Sequence, residues 1–512
     1  MPTPFKDEKK KKKTGVPEFV LDIGDDFDGT VDGTCARKSL NDLGNAERLQ
    51  VRFGEDLMYV PGRGWFWFDG RRWSEDDGPR MAQILAQETA RLIRTEAKWL
   101  KENAGDQVEW IAALRKFAKT SGNSGPIAAM QREAAPHLTC KVDDLDQLAD
   151  LLCVENGTLV LGPKTEIRSH HRDDLLTRLA PVRYVPEAGC PVFDAFLEKI
   201  LPDRDVREFI QRFFGYMMTG HTTEQVVLLL HGDGGNGKSS LLECLAKLLG
   251  DYAMGLPFRS LLHNDRGGGG DATPDIARLP GARFVRASEP ETGSRLAESM
   301  IKTMTGGEAM TARNLNEPFF EFYPQFKLVL SFNPKPSIRG GDDGIWRRLL
   351  MVEFKGKVDE ADVGPLFAAL ADELPGILNW LIAGYEDWQE VGLRVPQAVR
   401  DATDSYRAES DPVGNFLTEC TSRQTTRWLR SGKIYAAYEL WCKASGLDAG
   451  NITRFGKILK DKGLETSKST GYVTYRLELL DEVIEAFSGI EDGAVNGSGP
   501  VGPEPPPDDG PL

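Results

Sequence analysis

The chain has 512 residues, of which 40% are hydrophobic and 28% charged, and its formal net charge is −15. These proportions are those of a soluble globular protein, and the length accommodates about three domains. No stretch approaches the roughly 18 consecutive apolar residues of a membrane span, and no apolar segment follows the N-terminal lysines as it would in a signal peptide. The seven cysteines contain no Cys-x-x-Cys pair, which argues against a zinc ribbon or disulfide framework and favours reduced thiols in a cytoplasm.

Residues 1–45 are predicted to form a disordered arm. Five lysines, Lys9–Lys13, precede an acidic stretch, Asp22–Asp28. Such charge runs are typical of a solvated tail, and the alternative is an arm that tethers DNA nonspecifically. Asp26 and Asp28 form a D-x-D pair of the kind that can hold metal, but the short polar stretch around them offers no site for metal catalysis.

Residues 46–221 are predicted to form a mostly helical domain. Helical periodicity runs through Met81–Leu100 and Phe193–Leu201. Ahead of these helices, the aromatic run Gly64–Phe68 and the dipeptide Asp69-Gly70 predict a β-hairpin. Aromatic side chains beside arginines can stack on nucleobases, but a small hydrophobic core is the favoured interpretation.

A nucleotide-binding motif lies near the middle of the chain. The unbroken apolar run Val226–Leu230 predicts a strand buried on both faces, and leucines at helical spacing follow from Leu241. Between them, GDGGNGKS is a full match to the phosphate-binding loop in its required context of strand, glycine loop and helix. Lys238 is expected to hold the β- and γ-phosphates of ATP, and Ser239 to bind Mg²⁺. The predicted nucleotide-binding residues are Gly232, Asp233, Gly234, Gly235, Asn236, Gly237, Lys238, Ser239 and Ser240.

Residues 222–390 are predicted to form an α/β domain with a parallel sheet. Two further apolar runs, Arg283–Glu289 and Lys327–Asn333, end in polar residues and are separated by helical segments. In sheets of this kind, ligands bind at the carboxyl ends of the strands, where Glu289 and Asn333 would lie. The aromatic-rich segment Thr311–Pro324 between these strands predicts a hairpin.

Residues 391–487 are predicted to form a linker helix and a winged helix-turn-helix, because two helical patterns are followed by a hairpin pattern. Residues 421–477 hold eleven Lys/Arg and four Asp/Glu, a local charge of +7 in an acidic chain. This patch is typical of a DNA-binding unit, and a winged helix that contacts only protein is the alternative. The Gly/Pro-rich residues 488–512 are predicted to be a disordered tail. One predicted helix carries three basic residues at spacings of three: Arg454, Lys457 and Lys460. These residues share a helix face that can contact phosphates.

Five motifs occur in order along the second half of the chain: GDGGNGKSS, GARFVRASEPETG, IKTMTGGEAMTAR, FKLVLSFNPKP and GIWRRLLMVEF. Together they resemble the motifs of superfamily 3 helicases, and in particular the phage and plasmid primase-helicases related to the poxvirus primase-helicase. The resemblance covers roughly residues 45–485 and implies an AAA+-like ATPase that moves along single-stranded DNA as a hexameric ring. Members often carry a primase domain ahead of this architecture. With only about 45 residues before the folded region, this chain is expected to be the helicase part alone.

The resemblance also implies roles for single residues of the ATP site. Glu289 matches the acid that polarises the attacking water, and together with Ser239 it belongs to the expected metal site. The position before it, often acidic in other branches, is Ser288 in this chain. Asn333 resembles the sensor residue that orients water against the γ-phosphate.

Two further sets of residues are implied by the resemblance. Arg348 resembles the arginine finger that reaches into the neighbouring subunit's site, with Arg347 as the second choice and a salt bridge within the chain as the alternative. Lys302, Arg313 and the hairpin near Asn316 resemble the elements that face DNA in the ring's pore. The residue after Asn316 is acidic where relatives often carry a basic one.

The leading interpretation is a replicative DNA helicase of a phage, prophage or plasmid, dependent on ATP and Mg²⁺. Its expected partners are single-stranded or forked DNA, copies of itself in a hexamer, and a separate primase or polymerase; no membrane is expected. The alternative is an initiator or loader that uses ATP only to assemble on DNA. A small-molecule kinase is disfavoured, because it needs an acceptor pocket rather than a basic third domain.

Overall fold

The computed structural model describes residues 30–262, 273–288, 295–313, 315, 319–338, 343–358, 360–469 and 472–481. Most of the predicted N-terminal arm, including its lysine run and its D-x-D pair, lies outside these ranges. So do the predicted tail over 488–512 and two of the predicted site residues, Glu289 and Asn316.

Helices and a small antiparallel sheet make up the N-terminal region. Its elements are α1 (Val31–Ala36), α2 (Asp42–Phe53), β1 (Leu57–Val60), β2 (Gly64–Phe68), β3 (Trp73–Ser74), α3 (Gly78–Asn103), α4 (Val108–Ser121) and α5 (Ser124–Ala134). The strands pair in the order β1–β2–β3, as the aromatic hairpin pattern predicts. Phe66 is fully buried and Trp73 nearly so, which confirms that these aromatic residues form a core.

The prediction of a disordered arm is wrong for residues 31–45, which contain α1 and the start of α2. Side-chain oxygens of Thr30 and Asn41 cap these two helices by accepting hydrogen bonds from backbone N–H groups. Arg48, on α2, is fully buried and forms an ion pair with Glu96 of α3 at 2.9 Å. These short helices are therefore held by contacts with α3 rather than by a long apolar pattern of their own.

A second antiparallel sheet and two helices connect this region to the central domain. The elements are β4 (Leu151–Val154), β5 (Gly157–Val160), β6 (Glu166–Arg168), α6 (Pro191–Ile200) and α7 (Arg204–Met217). Helix α6 confirms the helical periodicity of Phe193–Leu201. The sheet was not predicted; its first hairpin turns at Glu155-Asn156, and Gly157 is already paired with Val154.

The central domain is built on a five-stranded parallel sheet, which confirms the α/β prediction. Its main elements are β7 (Val227–His231), α8 (Lys238–Leu249), β8 (Ala253–Gly255), α9 (Pro274–Ala277), β9 (Phe284–Ser288), α10 (Glu298–Gly306), β12 (Lys327–Phe332), α11 (Asp343–Trp346), β13 (Leu349–Glu353), α12 (Glu360–Asp372) and α13 (Leu374–Val391). A hairpin, β10 (Met310–Ala312) and β11 (Phe320–Phe322), precedes β12 and confirms the hairpin prediction. The strands lie in the order β13–β7–β12–β9–β8.

Strand β7 lies inside the sheet and is buried on both faces. Leu228 and Leu230 contact the hydrophobic core on one side, and Val227 and Leu229 contact the core on the other. The uninterrupted apolar run in the sequence arises from this double burial. It also places the loop after β7 at the carboxyl edge of the sheet, between the ends of its neighbours β12 and β13.

The C-terminal region has a hydrophobic core of its own around Phe416, Tyr438 and Phe455. Helix α14 (Gln397–Glu409) precedes it and packs on β13 of the central domain. The elements of the C-terminal region itself are α15 (Pro412–Cys420), β14 (Thr421–Ser422), β15 (Trp428–Arg430), α16 (Ser431–Ala444), α17 (Ile452–Asp461), β16 (Thr466–Ser469), β17 (Tyr472–Arg476) and β18 (Glu478–Leu479). The hairpin predicted after the second helix is confirmed as β16–β17, and β15 adds to it as a third antiparallel strand.

Among the described residues, no single helix is long and apolar enough to cross a membrane. Val363–Asp372 and α13 reach the required length and composition only together, and they are bent by 75° at the break between them. Much of α13 belongs to the interior, since Ile377, Leu378 and Leu381 are fully buried in the core. Its apolar character is explained by that packing.

Helices α7 and α13 pack backbone to backbone through two glycines. A Cβ atom on Gly215 would lie 2.1 Å from the backbone N of Tyr385, and one on Gly384 would lie 2.2 Å from the carbonyl O of Gln211. No methyl group fits at such distances unless the helices separate. This contact joins the segment before the central sheet to the helix that follows it.

We therefore expect Gly384→Ala to destabilise the protein by about 1–3 kcal/mol, because an added methyl group overpacks the α7–α13 contact. Gly432→Ala is the matched control, because Gly432 lies in the first turn of α16, is not followed by proline, and has no atom of another segment within 4 Å of an added Cβ. Alanine at that site should leave stability unchanged or raise it by up to about 1 kcal/mol through helix propensity. Thermal unfolding of both variants checks this, and equal midpoints would contradict it.

Candidate nucleotide site

The loop between β7 and α8 adopts a conformation that requires glycine. Gly237, which caps α8, has φ = 82°, a left-handed value that other residues rarely adopt. A Cβ atom at Gly232 would lie 2.2 Å from Nδ2 of Asn236 and 2.6 Å from the carbonyl O of Phe354. The loop is thus packed against the segment after β13, and its glycines keep the start of α8 accessible to a ligand.

Lys238 is the first residue of α8, and its side chain is folded back into the loop. Its Nζ donates to the carbonyl oxygens of Gly232 at 2.6 Å and Asp233 at 3.2 Å. It also donates to Oδ1 of Asn236 at 2.8 Å and to Oδ1 of Asn333 at 3.1 Å. Burial lowers the pKa of Lys238 from 10.5 to about 8. The ammonium group is therefore surrounded by neutral oxygens, an environment in which a phosphate would be a stronger partner.

The contact between Lys238 and Asn333 brings together two predicted site residues that are 95 positions apart. Asn333 immediately follows β12, which pairs in parallel with β7, so both residues lie at the same edge of the sheet. They line one cavity of about 960 Å³. Its wall comprises the loop residues 234–240, the ends of β9 and β12, residues 255–258, and two apolar side chains of α12, Val363 and Phe367.

Arg286, in the middle of β9, also lines this cavity. An arginine is unexpected inside a buried strand, but its Nη1 forms an ion pair with Oε2 of Glu243 at 2.6 Å. Glu243 lies on α8, four residues after Ser239, and so shares a helix face with it. Sequence reasoning missed Glu243, and this spacing from Ser239 is the signal that could have found it.

The structure describes only part of the predicted metal site. Glu289 follows β9 directly but lies outside the described residues. Ser288, the last residue of β9, is exposed and is aligned with Ser331 of β12, so the strand ends at the cavity. Among the described residues, no group of three His, Cys, Asp or Glu side chains could hold a metal ion.

The two candidate finger arginines differ in their surroundings. Arg348 is only 8% exposed, and its guanidinium donates to Oγ1 of Thr305 at 3.2 Å and to the carbonyl O of Gly344 at 2.6 Å. It also donates to Oε1 of Gln225 at 3.3 Å. Arg347 is exposed, and its side chain forms no ion pair within the described part of the chain. Of the two arginines, Arg348 is therefore held within its own chain, whereas Arg347 is accessible at the surface.

The predicted DNA-facing residues lie in two regions. Lys302 is half-buried on α10, and Arg313 follows β10 with its guanidinium 4.7 Å from the ring centre of Phe319. The hairpin residue Asn316 lies outside the described residues. On α17, Phe455 and Leu459 face the core, whereas three basic residues are exposed: Arg454, Lys457 and Lys460. This confirms that the three basic residues share an exposed side of the helix.

Comparison with known proteins shows which proteins the sequence of this chain resembles. Residues 46–202 match the family described as D5 N terminal like. The chain is 27% identical over 377 residues to a presumed helicase, L207/L206, of Acanthamoeba polyphaga mimivirus, a match covering 69% of this chain and 39% of that protein. It is 27% identical over 359 residues to a presumed primase, C962R, of African swine fever virus (strain Badajoz 1971 Vero-adapted), covering 65% of this chain and 37% of that protein.

The chain therefore spans less than half the length of these two relatives. A solved structure of the C-terminal region of NrS-1 in its apo form covers 62% of this chain and 94% of its own, at 12% identity and a TM-score of 0.38. That likeness is too low to carry an argument about fold. The matched domain and the viral relatives support the resemblance of this chain to the superfamily 3 primase-helicases.

Proposed function

We propose that the chain is an ATP-driven DNA helicase whose motor is the central α/β domain. The observation that carries this proposal is the convergence of Lys238 and Asn333 in one cavity at the carboxyl edge of the parallel sheet. This is the edge at which α/β domains bind nucleotides, and the glycine loop at the start of α8 supplies the backbone N–H groups for phosphate. The resemblance to viral helicases and primases supports DNA as the substrate of such a motor.

In the proposed mechanism, phosphate binding draws the Lys238 ammonium away from its four protein oxygens toward the β- and γ-phosphates. Asn333, released from Lys238, is then free to orient a water molecule against the γ-phosphate. Glu289, one residue beyond the described end of β9, is the proposed base that polarises that water. Mg²⁺, where bound, would neutralise phosphate charge, and the hydroxyl of Ser239 is its proposed protein ligand.

We place the ATP site between neighbouring subunits of a ring, which the family resemblance suggests is a hexamer. Arg347 is the proposed finger, because it is exposed beside a buried arginine that is held by its own subunit. A guanidinium supplied in trans stabilises charge as the γ-phosphate leaves. Arg348 then has a structural role. It joins Thr305 of α10 and Gly344 of α11 to Gln225, which lies just before β7.

The C-terminal region is the proposed winged-helix unit that binds duplex or junction DNA. Its support is the local charge of +7 and the exposed basic side of α17. The β10–β11 hairpin is the proposed pore element, and a separate primase or polymerase is the proposed replication partner. The alternative function is a loader that binds DNA with ATP and does not separate strands; an assay of strand separation distinguishes the two.

Lys238→Ala should abolish ATP hydrolysis while leaving the protein folded, because among the described residues no other lysine lines the cavity. The matched control is Lys247→Ala, which removes an exposed lysine from the same helix α8 and should retain wild-type turnover. Phosphate release by the purified proteins is the measurement. Unchanged hydrolysis in the Lys238 variant would overturn the assigned nucleotide site.

ATP binding should weaken as the pH rises above about 8, the pKa to which burial lowers Lys238. Phosphates raise the pKa of this lysine in the bound state, so above that pH the protein must take up a proton to bind ATP. At pH 7 the lysine is already charged, and proton uptake should be near zero. Calorimetric titration in buffers of different ionisation enthalpy measures this uptake at pH 7 and pH 9. Equal uptake at both values would show that Lys238 does not meet the phosphates.

Lys238→Ala and Arg347→Ala should each be inactive alone, and mixing them should restore part of the ATPase activity. A mixed ring contains some sites with both an intact loop and an intact finger. Arg348→Ala is the comparison: it should lower the unfolding temperature, which Arg347→Ala should not, because only Arg348 is buried with internal acceptors. If mixed rings form without any recovery of hydrolysis, the trans role of Arg347 is contradicted.

A further inference from the structure

The outer face of the C-terminal sheet carries an exposed aromatic side chain held against an arginine. The ring of Tyr472 is 55% exposed, and the guanidinium carbon of Arg430 lies 4.6 Å from its centre. Tyr472 is the first residue of β17 and Arg430 the last residue of β15, the strand beside it. The arginine thus backs a tyrosine ring that remains open to solvent.

The register of the sheet shows that this pair points away from the hydrophobic core. Arg430 is aligned with Thr474, two residues from Tyr472, so the three side chains lie on one face. The alternate residues Val473 and Tyr475 pack into the core on the other face. The Tyr472 ring is therefore not needed to fill the interior of the unit.

The pair belongs to the same rigid unit as the basic helix. The hydroxyl of Tyr475 donates to the carbonyl O of Gly456 at 3.0 Å, which joins β17 to α17. A second aromatic side chain, Trp428, lies half-buried on the same outer face as Arg430. A surface that combines an exposed ring, an arginine and a local excess of positive charge has the chemistry of a nucleobase platform.

Paired bases are not available to such a ring. Inside a duplex, the faces of the bases are covered by their neighbours, whereas an unpaired strand presents them freely. Phosphate contacts from α17 can hold either form of DNA, but stacking on Tyr472 selects the unpaired form. The exposed tyrosine therefore adds a preference that the basic charge alone would not give.

We propose that Tyr472, oriented by Arg430, is a stacking platform for the bases of an unpaired DNA strand. This inference rests on the proposed DNA-binding function and assigns to the C-terminal unit a single-strand site besides its duplex contacts. Loss of one stacking contact weakens binding on the order of tenfold. Stacking releases no counterions, so the loss of this contact should weaken binding without changing its salt dependence.

The experiment measures binding of the full-length protein to an oligothymidylate of about twenty nucleotides, to the same oligomer with abasic sites, and to a duplex. Tyr472→Ala should weaken binding to the oligothymidylate about tenfold and leave binding to the abasic oligomer and the duplex unchanged. Tyr472→Phe should restore binding, because it keeps the ring. Lys457→Ala should instead weaken binding to all three and reduce the salt slope on single strands by about 0.7.

Leu440→Ala is the control for removal of an exposed apolar side chain from the same unit, and it should bind like wild type. Equal binding of wild type and Tyr472→Ala to the oligothymidylate, or an equal loss on the abasic oligomer, would overturn the platform while leaving the helicase function standing. Failure of the wild-type protein to bind any of the three DNAs would overturn both.

Discussion

The buried ammonium of Lys238 is the group on which the proposed motor depends. A buried cation needs partners, and here they are carbonyl and amide oxygens supplied by the glycine loop and by Asn333. Those contacts fix the loop against the end of β12, while burial lowers the pKa of Lys238 to about 8. Because every partner is neutral, an incoming phosphate can displace them, so the site is held in a form prepared for an anion.

Two further buried basic side chains fasten the segment that connects the N-terminal region and the central domain to the opposite edge of the same sheet. Arg283, just before β9, donates to the carbonyl oxygens of Ala149 at 2.6 Å and Met218 at 2.9 Å. Lys327, at the start of β12, donates to Thr219, and burial holds its pKa well below the usual value. The strands that end at the cavity thus begin at this connecting segment, which gives a direct physical connection between the two.

The sequence predicts those features that depend on local patterns. Strand β7 is uniformly apolar because it is buried on both faces, and the loop after it has a recognisable glycine motif. These two patterns were enough to predict the sheet and the edge at which the cavity lies. Features set by distant partners could not: α2 is joined to α3 by the Arg48–Glu96 pair, 48 residues apart. Likewise, adjacent arginines look alike in sequence, and only the contact of Arg348 with Thr305 shows which one faces inward.

Whether the motor separates DNA strands is the central claim, and a forked substrate tests it most directly. The wild-type protein would be incubated with a fork that carries either a 5′ or a 3′ tail, with ATP and Mg²⁺ or with a non-hydrolysable analogue. The account predicts strand release with ATP on one tail polarity and only binding with the analogue. Binding that depends on ATP, without release on either fork, would contradict it and establish the loader function instead.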